Sequence, residues 1–222
     1  MKFLTRCILT IIYAYSAVTL GAATASLGNV SRVNGSVTIE QGQQAGSVST
    51  VNGSVHIGTD ARVGRVETVN GSVKVAERAL LEAAETVNGG IVIGAGAEVR
   101  GKVEAVNGSM TLREGARVGG GLHNVNGDML IEGAAVSGGL DTVSGDIRLA
   151  AGASVDGGIH VGKGQRSWFG FAGDSNHPRI TVEQGAVLQG PLHFEREVDL
   201  YVAPGVVVPE VQGVAPRRHT LN

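Results

Sequence analysis

Of the six histidines in this chain, His123, His160 and His177 are placed where a general base could act from a loop. His123 and His160 read as outward residues just before the Val of a repeating unit, at the position taken elsewhere by Thr50, Thr68 and Thr86. No partner motif adjoins them, so each reads as a solvated imidazole. His177, followed by Pro178, ends an inserted segment and is the better placed of the three. Glu67, Glu85, Glu104 and Asp141 share one position of the repeat. Stacked carboxylates repel and recruit cations weakly, but interspersed Arg and Lys make a solvated surface the expectation. There is no His pair at ligand spacing, no Gly-Gly-x-Gly-x-Asp repeat, and Cys7 is the only cysteine. Gly162-Lys163-Gly164-Gln165 lacks the spacing of a phosphate loop. A Thr-x-Asn column (Thr50/Asn52, Thr68/Asn70, Thr86/Asn88) has the outline of an ice-binding ladder, but Ala105 and Asn124 break it. The expectation is therefore no catalytic residue, no metal and no cofactor.

These positions recur because the chain repeats. Val33-Asn34-Gly35-Ser36-Val37 returns unchanged at 51 and 69 and with substitutions at 87, 106, 125 and 143, at steps of 18, 18, 18, 19, 19 and 18 residues. Within Val51–Thr68, Val55 and Ile57 alternate with polar residues, Gly58-Thr59-Asp60 breaks the run, and Ala61 and Val63 alternate again. Three short period-2 segments separated by turn residues make a half-buried strand pattern with corners. Eighteen residues in three segments predict an all-β chain wound as a single-stranded parallel β-helix, a three-sided β-solenoid.

Equivalent residues then stack in columns. One runs Val37, Val55, Val73, Ile91, Met110, Met129, Ile147, and a second runs Ile39, Ile57, Val75, Ile93, Leu112, Ile131, Leu149. Ala61, Ala79, Ala97, Ala116, Ala135 and Ala153 fill a tight corner, with Gln43 replacing Ala in the first unit. Asn34, Asn52, Asn70, Asn88, Asn107 and Asn126 are expected to form a stacked amide ladder. The extra residues of the two 19-residue units fall near Gly101 and Gly120.

The remaining segments depart from the repeat. Residues 1–25 read as a signal peptide: Lys2 and Arg6, an apolar stretch from Cys7 to Leu20, then Ala23-Thr24-Ala25. Residues 26–161 are the β-helix repeats and 162–178 an inserted aromatic loop. Residues 179–214 form the C-terminal coils and cap, for about eight to nine coils in all, and 215–222 a frayed tail. Aligning Ile147, Leu149, Val155 and Ile159 with Ile180, Val182, Leu188 and Leu192 makes the loop an extrusion from one corner. Arg166, Trp168, Phe169 and Phe171 in that loop are candidate interaction residues, or a plug for the end of the core. Pro204 and Pro209 lack the N–H that a following coil would need, which favours a monomer or small finite oligomer over a filament.

Composition closes off other classes. Thirty-five glycines without a G-X-Y period exclude collagen, and 42% hydrophobic residues exclude a disordered chain. A net charge of −2 gives no basis for nucleic-acid binding; the N-terminal apolar stretch is too short to span a bilayer comfortably, and no transmembrane span is expected in the mature chain.

The Val-Asn-Gly-Ser-Val and Val-Ser-Gly-Asp-Ile units, over about residues 30–160, resemble the exported bacterial β-strand-repeat adhesins. Ile93-Gly94-Ala95-Gly96-Ala97-Glu98-Val99 is more distantly similar to bactofilins, polymer-forming bacterial β-helix proteins. The resemblance implies a non-enzymatic structural or adhesive protein, exported to the periplasm or cell surface, that binds a protein or envelope component through its stacked faces or its loop. The alternative is a hexapeptide-repeat acyltransferase-like enzyme, since Ile91–Val103 also resembles such a repeat.

Overall fold

The structure, a computed structural model, describes residues 26–163 and 177–221. The expected signal peptide and the candidate loop residues Arg166, Trp168, Phe169 and Phe171 lie outside the described residues. What is described is all-β: 27 short strands, every strand pairing parallel, each coil stacked on the one before. The stack has three sides. The first carries the strands that lead into Val-Asn-Gly, such as Val48–Asn52 and Val103–Asn107. The second carries ten three- or four-residue strands, from Val37–Ile39 to Arg217–Thr220. The third carries two-residue strands such as Gln44–Ala45 and Arg117–Val118. Arg62–Asn70 and Leu80–Asn88 run unbroken from the third side into the first.

Both expected apolar columns are continuous and buried; the first extends beyond Ile147 through Ile180 and Leu200, the second beyond Leu149 through Val182. The small-residue corner is Ala61, Ala79, Ala97, Ala116, Ala134 and Ala153. Ala134, not Ala135, is inside, because Ala135 pairs with the outward Arg117. The reason is a one-residue contraction at the Glu132-Gly133 turn, where the offset between coils drops from 19 to 18. The offset first becomes 19 between Val99 and Val103, so the added residue sits at the Gly101 corner. Gly120 bonds back to Gly101 through its N–H (3.0 Å), so the extra residue is kept in the next coil.

The Asn-Gly corner is held from coil to coil. Asn52 donates from Nδ2 to Asn34 Oδ1 (3.0 Å), and Asn70, Asn88, Asn107 and Asn126 repeat the bond at 2.9–3.0 Å. Beside them Gly53 donates its N–H to Asn70 O (3.1 Å) and Gly71 to Asn88 O (3.0 Å). These bonds draw the corner backbones so close that a Cβ on Gly71 would lie 1.9 Å from Gly53 O. Positive φ is not the common cause of this glycine column: Gly53 and Gly71 lack it, whereas Gly89 and Gly108 have it.

The threonine column lies inside, not outside as expected. Thr50, Thr68 and Thr86 are buried, and each donates its hydroxyl to the corner glycine carbonyl of the preceding coil: Gly35, Gly53 and Gly71, at 3.1, 2.9 and 2.9 Å. A Thr can be buried here because the corner offers an acceptor. Where Ala105 interrupts the column, Asn124 of the next coil donates to both Gly108 O (3.0 Å) and Gly127 O (2.7 Å). Thr142, by contrast, has a buried Oγ1 without a partner among the described residues. Thr68→Val should therefore cost about 1–3 kcal/mol, whereas Thr142→Val should be neutral or stabilising by up to about 1 kcal/mol. Urea unfolding midpoints of the two variants, compared with wild type, check this contrast. An outward Thr-x-Asn ice-binding face does not exist in this arrangement.

The C-terminal region adds more coils than expected: ten strands on the second side, where eight to nine coils were predicted. Ile147, Leu149, Val155 and Ile159 do align with Ile180, Val182, Leu188 and Leu192. The chain leaves the first side after Val161 and joins the second at Arg179, so the insertion takes the place of an Asn-Gly corner. Arg217–Thr220, expected within a frayed tail, is a strand paired along its whole length with Asp199–Val202. Two strands follow Pro204 and Pro209, which therefore do not end the stack. At both ends of the described stack an inward position carries a charged residue. Arg32 stands in register with the buried Thr50 column, and Arg218 follows Leu200 in the first apolar column; both are exposed.

Candidate functional site

On the first side, alternation sends one residue of each coil outward between two buried neighbours. The resulting column begins at Ser31 and Ser49, continues through Glu67, Glu85 and Glu104, and then through His123, Asp141, His160 and His193. The four acidic residues do share one column, as the spacing predicts. His123 and His160 belong to it as well, one residue earlier than the threonine position to which they were assigned. The error is one of register: an odd shift exchanges the inner and outer faces.

The column divides chemically into two parts. In its lower half Glu67, Glu85 and Glu104 are adjacent, with Arg65 Nη1 3.7 Å from Glu67, Arg65 Nε 3.9 Å from Glu85, and Lys102 paired with Glu104. Partial burial pushes the Glu85 carboxyl above its usual range, and the Glu104 and Glu67 charges push it further, with Arg65 and Lys102 offsetting part of this. A raised carboxyl means that the folded chain binds the proton more tightly than the unfolded one. Stability is thus lost as pH rises from the ordinary Glu range through the raised value, and the penalty is complete at neutral pH. Glu85→Gln should therefore raise the melting temperature at pH 7 and lose this advantage near pH 4. Thermal melts of both proteins across that range check it.

In the upper half, carboxylate and imidazole alternate. Asp141 accepts from His123 Nδ1 through Oδ2 (2.8 Å) and from His160 Nδ1 through Oδ1 (2.9 Å). The hydrogen bond from His123, with that from His160, holds the Asp141 carboxyl below its usual range against partial burial. The His160 and His193 rings follow one another with centroids 5.3 Å apart. Glu195, two residues past His193 and so on the same face, brings Oε1 to 3.6 Å from His160 Nε2. Its Oε2 accepts the Lys163 N–H at 3.2 Å, which, ahead of the contact with His160, lowers its carboxyl from the usual range. His177, the third candidate base, is apart from this group and pairs through Nε2 with Glu197 (2.9 Å).

His193 was not singled out in the sequence, although the signal was present. Aligning Ile159 with Leu192 across the insertion places His160 against His193 directly. Their 33-residue separation hides the pair from any search for short ligand spacing. Tyr201, another late aromatic, lies on the outer second side, stacked on His219 (4.4 Å) beneath the Arg179 guanidinium (5.2 Å). Phe194 is fully buried, in register with Thr142 and Val161. Among the described residues no helix is long and apolar enough to cross a membrane. Compared with known proteins, the chain matches no family model, no curated protein and no solved structure.

Proposed function

We propose that this protein is a non-enzymatic, exported β-solenoid of the cell envelope that binds a protein or envelope component through its stacked outer faces or its inserted loop. The observation that supports the reading most is the outer column on the first side, where a run of carboxylates gives way to alternating imidazole and carboxylate groups at strand spacing. Such a linear array on paired strands meets a partner without ordering of its own backbone. The charged residues at the two inward end positions agree with a finite particle rather than a filament.

The reading is tested by recovering partners from envelope extracts with wild type and Trp168→Ala. Loss of partner recovery at unchanged thermal stability supports a loop contact. Undiminished recovery moves the contact to the stacked faces, where Glu67→Lys and Glu104→Lys should abolish it. Retention in all three variants overturns the proposal. Cell fractionation of the full chain, compared with a chain lacking residues 2–25, tests export.

The acyltransferase-like alternative is favoured by one observation: Asp141 orients imidazoles on both sides, as a carboxylate does for a histidine base. An enzyme of that kind needs a trimer with the His in an intersubunit cleft. Sedimentation of the purified protein as a trimer would support it, and a monomer would exclude it.

A further inference from the structure

We propose that His160, His193 and Glu195 form a binding site for a divalent transition-metal ion, Zn2+ foremost. One donor atom from each lies within 4.8 Å of the other two. Two of the three ligands come from adjacent paired strands, Ile159–Val161 and Leu192–Phe194, so their backbones are fixed by the sheet ladder. Glu195 follows on the same face of the second strand. Two imidazoles and one carboxylate, with an open side toward solvent, are the donor set of a three-ligand zinc site that keeps a fourth position free. Nitrogen-rich ligation suits Zn2+, Ni2+ and Cu2+, whereas Ca2+ and Mg2+ need more oxygen donors than this cluster holds.

The surroundings match what such a site requires. Asp141 accepts from His160 Nδ1 (2.9 Å), so the proton sits on Nδ1 and the Nε2 lone pair is turned toward Glu195 Oε1, 3.6 Å away. A carboxylate that sets the tautomer of a ligating imidazole is the recurrent outer partner of metal-bound histidine. Glu195 is itself steadied, because the Lys163 N–H occupies Oε2 and leaves Oε1 for the ion. Metal–nitrogen and metal–oxygen bonds of about 2.0–2.2 Å require the three donor atoms, within 4.8 Å of one another, to close in further by side-chain rotation. The glutamate run lower in the same column does not qualify, since it offers oxygen alone and is paired with Arg65 and Lys102. The site stands whether or not the envelope reading holds.

Isothermal titration of Zn2+ into the chelator-stripped full chain tests the assignment, with Ca2+ as the comparison ion. The expected result is one Zn2+ per chain and no binding of Ca2+ at the same concentration. His193→Ala and His160→Ala should each weaken Zn2+ by at least about 100-fold, beyond the 10–100-fold that loss of an outer partner costs. His56→Ala, on the second side, should leave the affinity unchanged. The substituted side chains are at the surface, so metal-free melting curves like that of wild type separate loss of the ligand from loss of the fold. Failure of wild type to bind, or an undiminished affinity in folded His193→Ala, overturns the proposal. Neither outcome bears on partner capture by the loop or the stacked faces.

Discussion

Gly71→Ala should be among the most damaging single-methyl additions in this molecule, costing roughly 3 kcal/mol or more. The added Cβ would lie 1.9 Å from Gly53 O and 2.5 Å from Gly53 C, both backbone atoms that cannot rotate away. Relief requires the coils to separate at the corner. That would lengthen the Gly53 N–H bond to Asn70 O (3.1 Å), the Asn70–Asn52 amide bond (2.9 Å) and the Thr68 hydroxyl bond to Gly53 O (2.9 Å). Because each coil is held only by its neighbours, the break divides the stack in two. Gly28→Ala is the control, since no described residue lies within 4 Å of a Cβ there, and it should change stability by less than about 0.5 kcal/mol. Equilibrium urea unfolding of both variants measures the difference. Equal stabilities would show that the corner has slack that the contact distances deny.

Replacing Arg32 by Thr and Arg218 by Leu in one chain should promote end-to-end assembly. A solenoid end presents unpaired backbone groups and the open mouth of its core, which is a template for another coil. In this protein Arg218 stands where Leu200, Ile180 and Ile147 stand in the coils before it, and Arg32 stands in register with Thr50. Docking a second copy on either end would bury a guanidinium without a carboxylate to meet it, at a cost of several kcal/mol. Removing about 4 kcal/mol of that cost strengthens end-to-end contact about a thousandfold. Light scattering and electron microscopy of the double variant should show elongated species at concentrations where wild type has a single size. A double variant of unchanged size would show that the ends are closed by something other than these charges.

The architecture was legible in one reading of the chain because its evidence is repeated. A step of 18 or 19 residues, with Val37, Val55, Val73 and Ile91 at one phase, averages over local ambiguity and sets the coil length, the parallel pairing and most of the core. The alignment across the insertion followed from the same periodicity. Repetition could not decide which way a polar residue faces. Thr68 and Glu67 are neighbours of similar repeat frequency, and Thr68 is inside only because Gly53 O waits there, 2.9 Å away, an acceptor created by the corner of a different coil. The same blindness put His123 and His160 one residue out of register, and placed Ala135 in the corner that Ala134 fills. Pro204 and Pro209 were expected to end the stack because an absent N–H is visible in one dimension, whereas the place of Arg218 in the first apolar column depends on its partner strand.

What the amino-acid order determined by itself is thus the winding: segment length, corner chemistry and the apolar columns, all properties of residues one coil apart. What only the tertiary structure decided is the chemistry of the outer face. His160 and His193 are 33 residues apart and Asp141 is 19 before His160, yet strand pairing lays all three in one line with Glu195 at its edge. Contact between side chains depends on register across coils, and an insertion or a one-residue contraction changes that register without marking the residues it brings together.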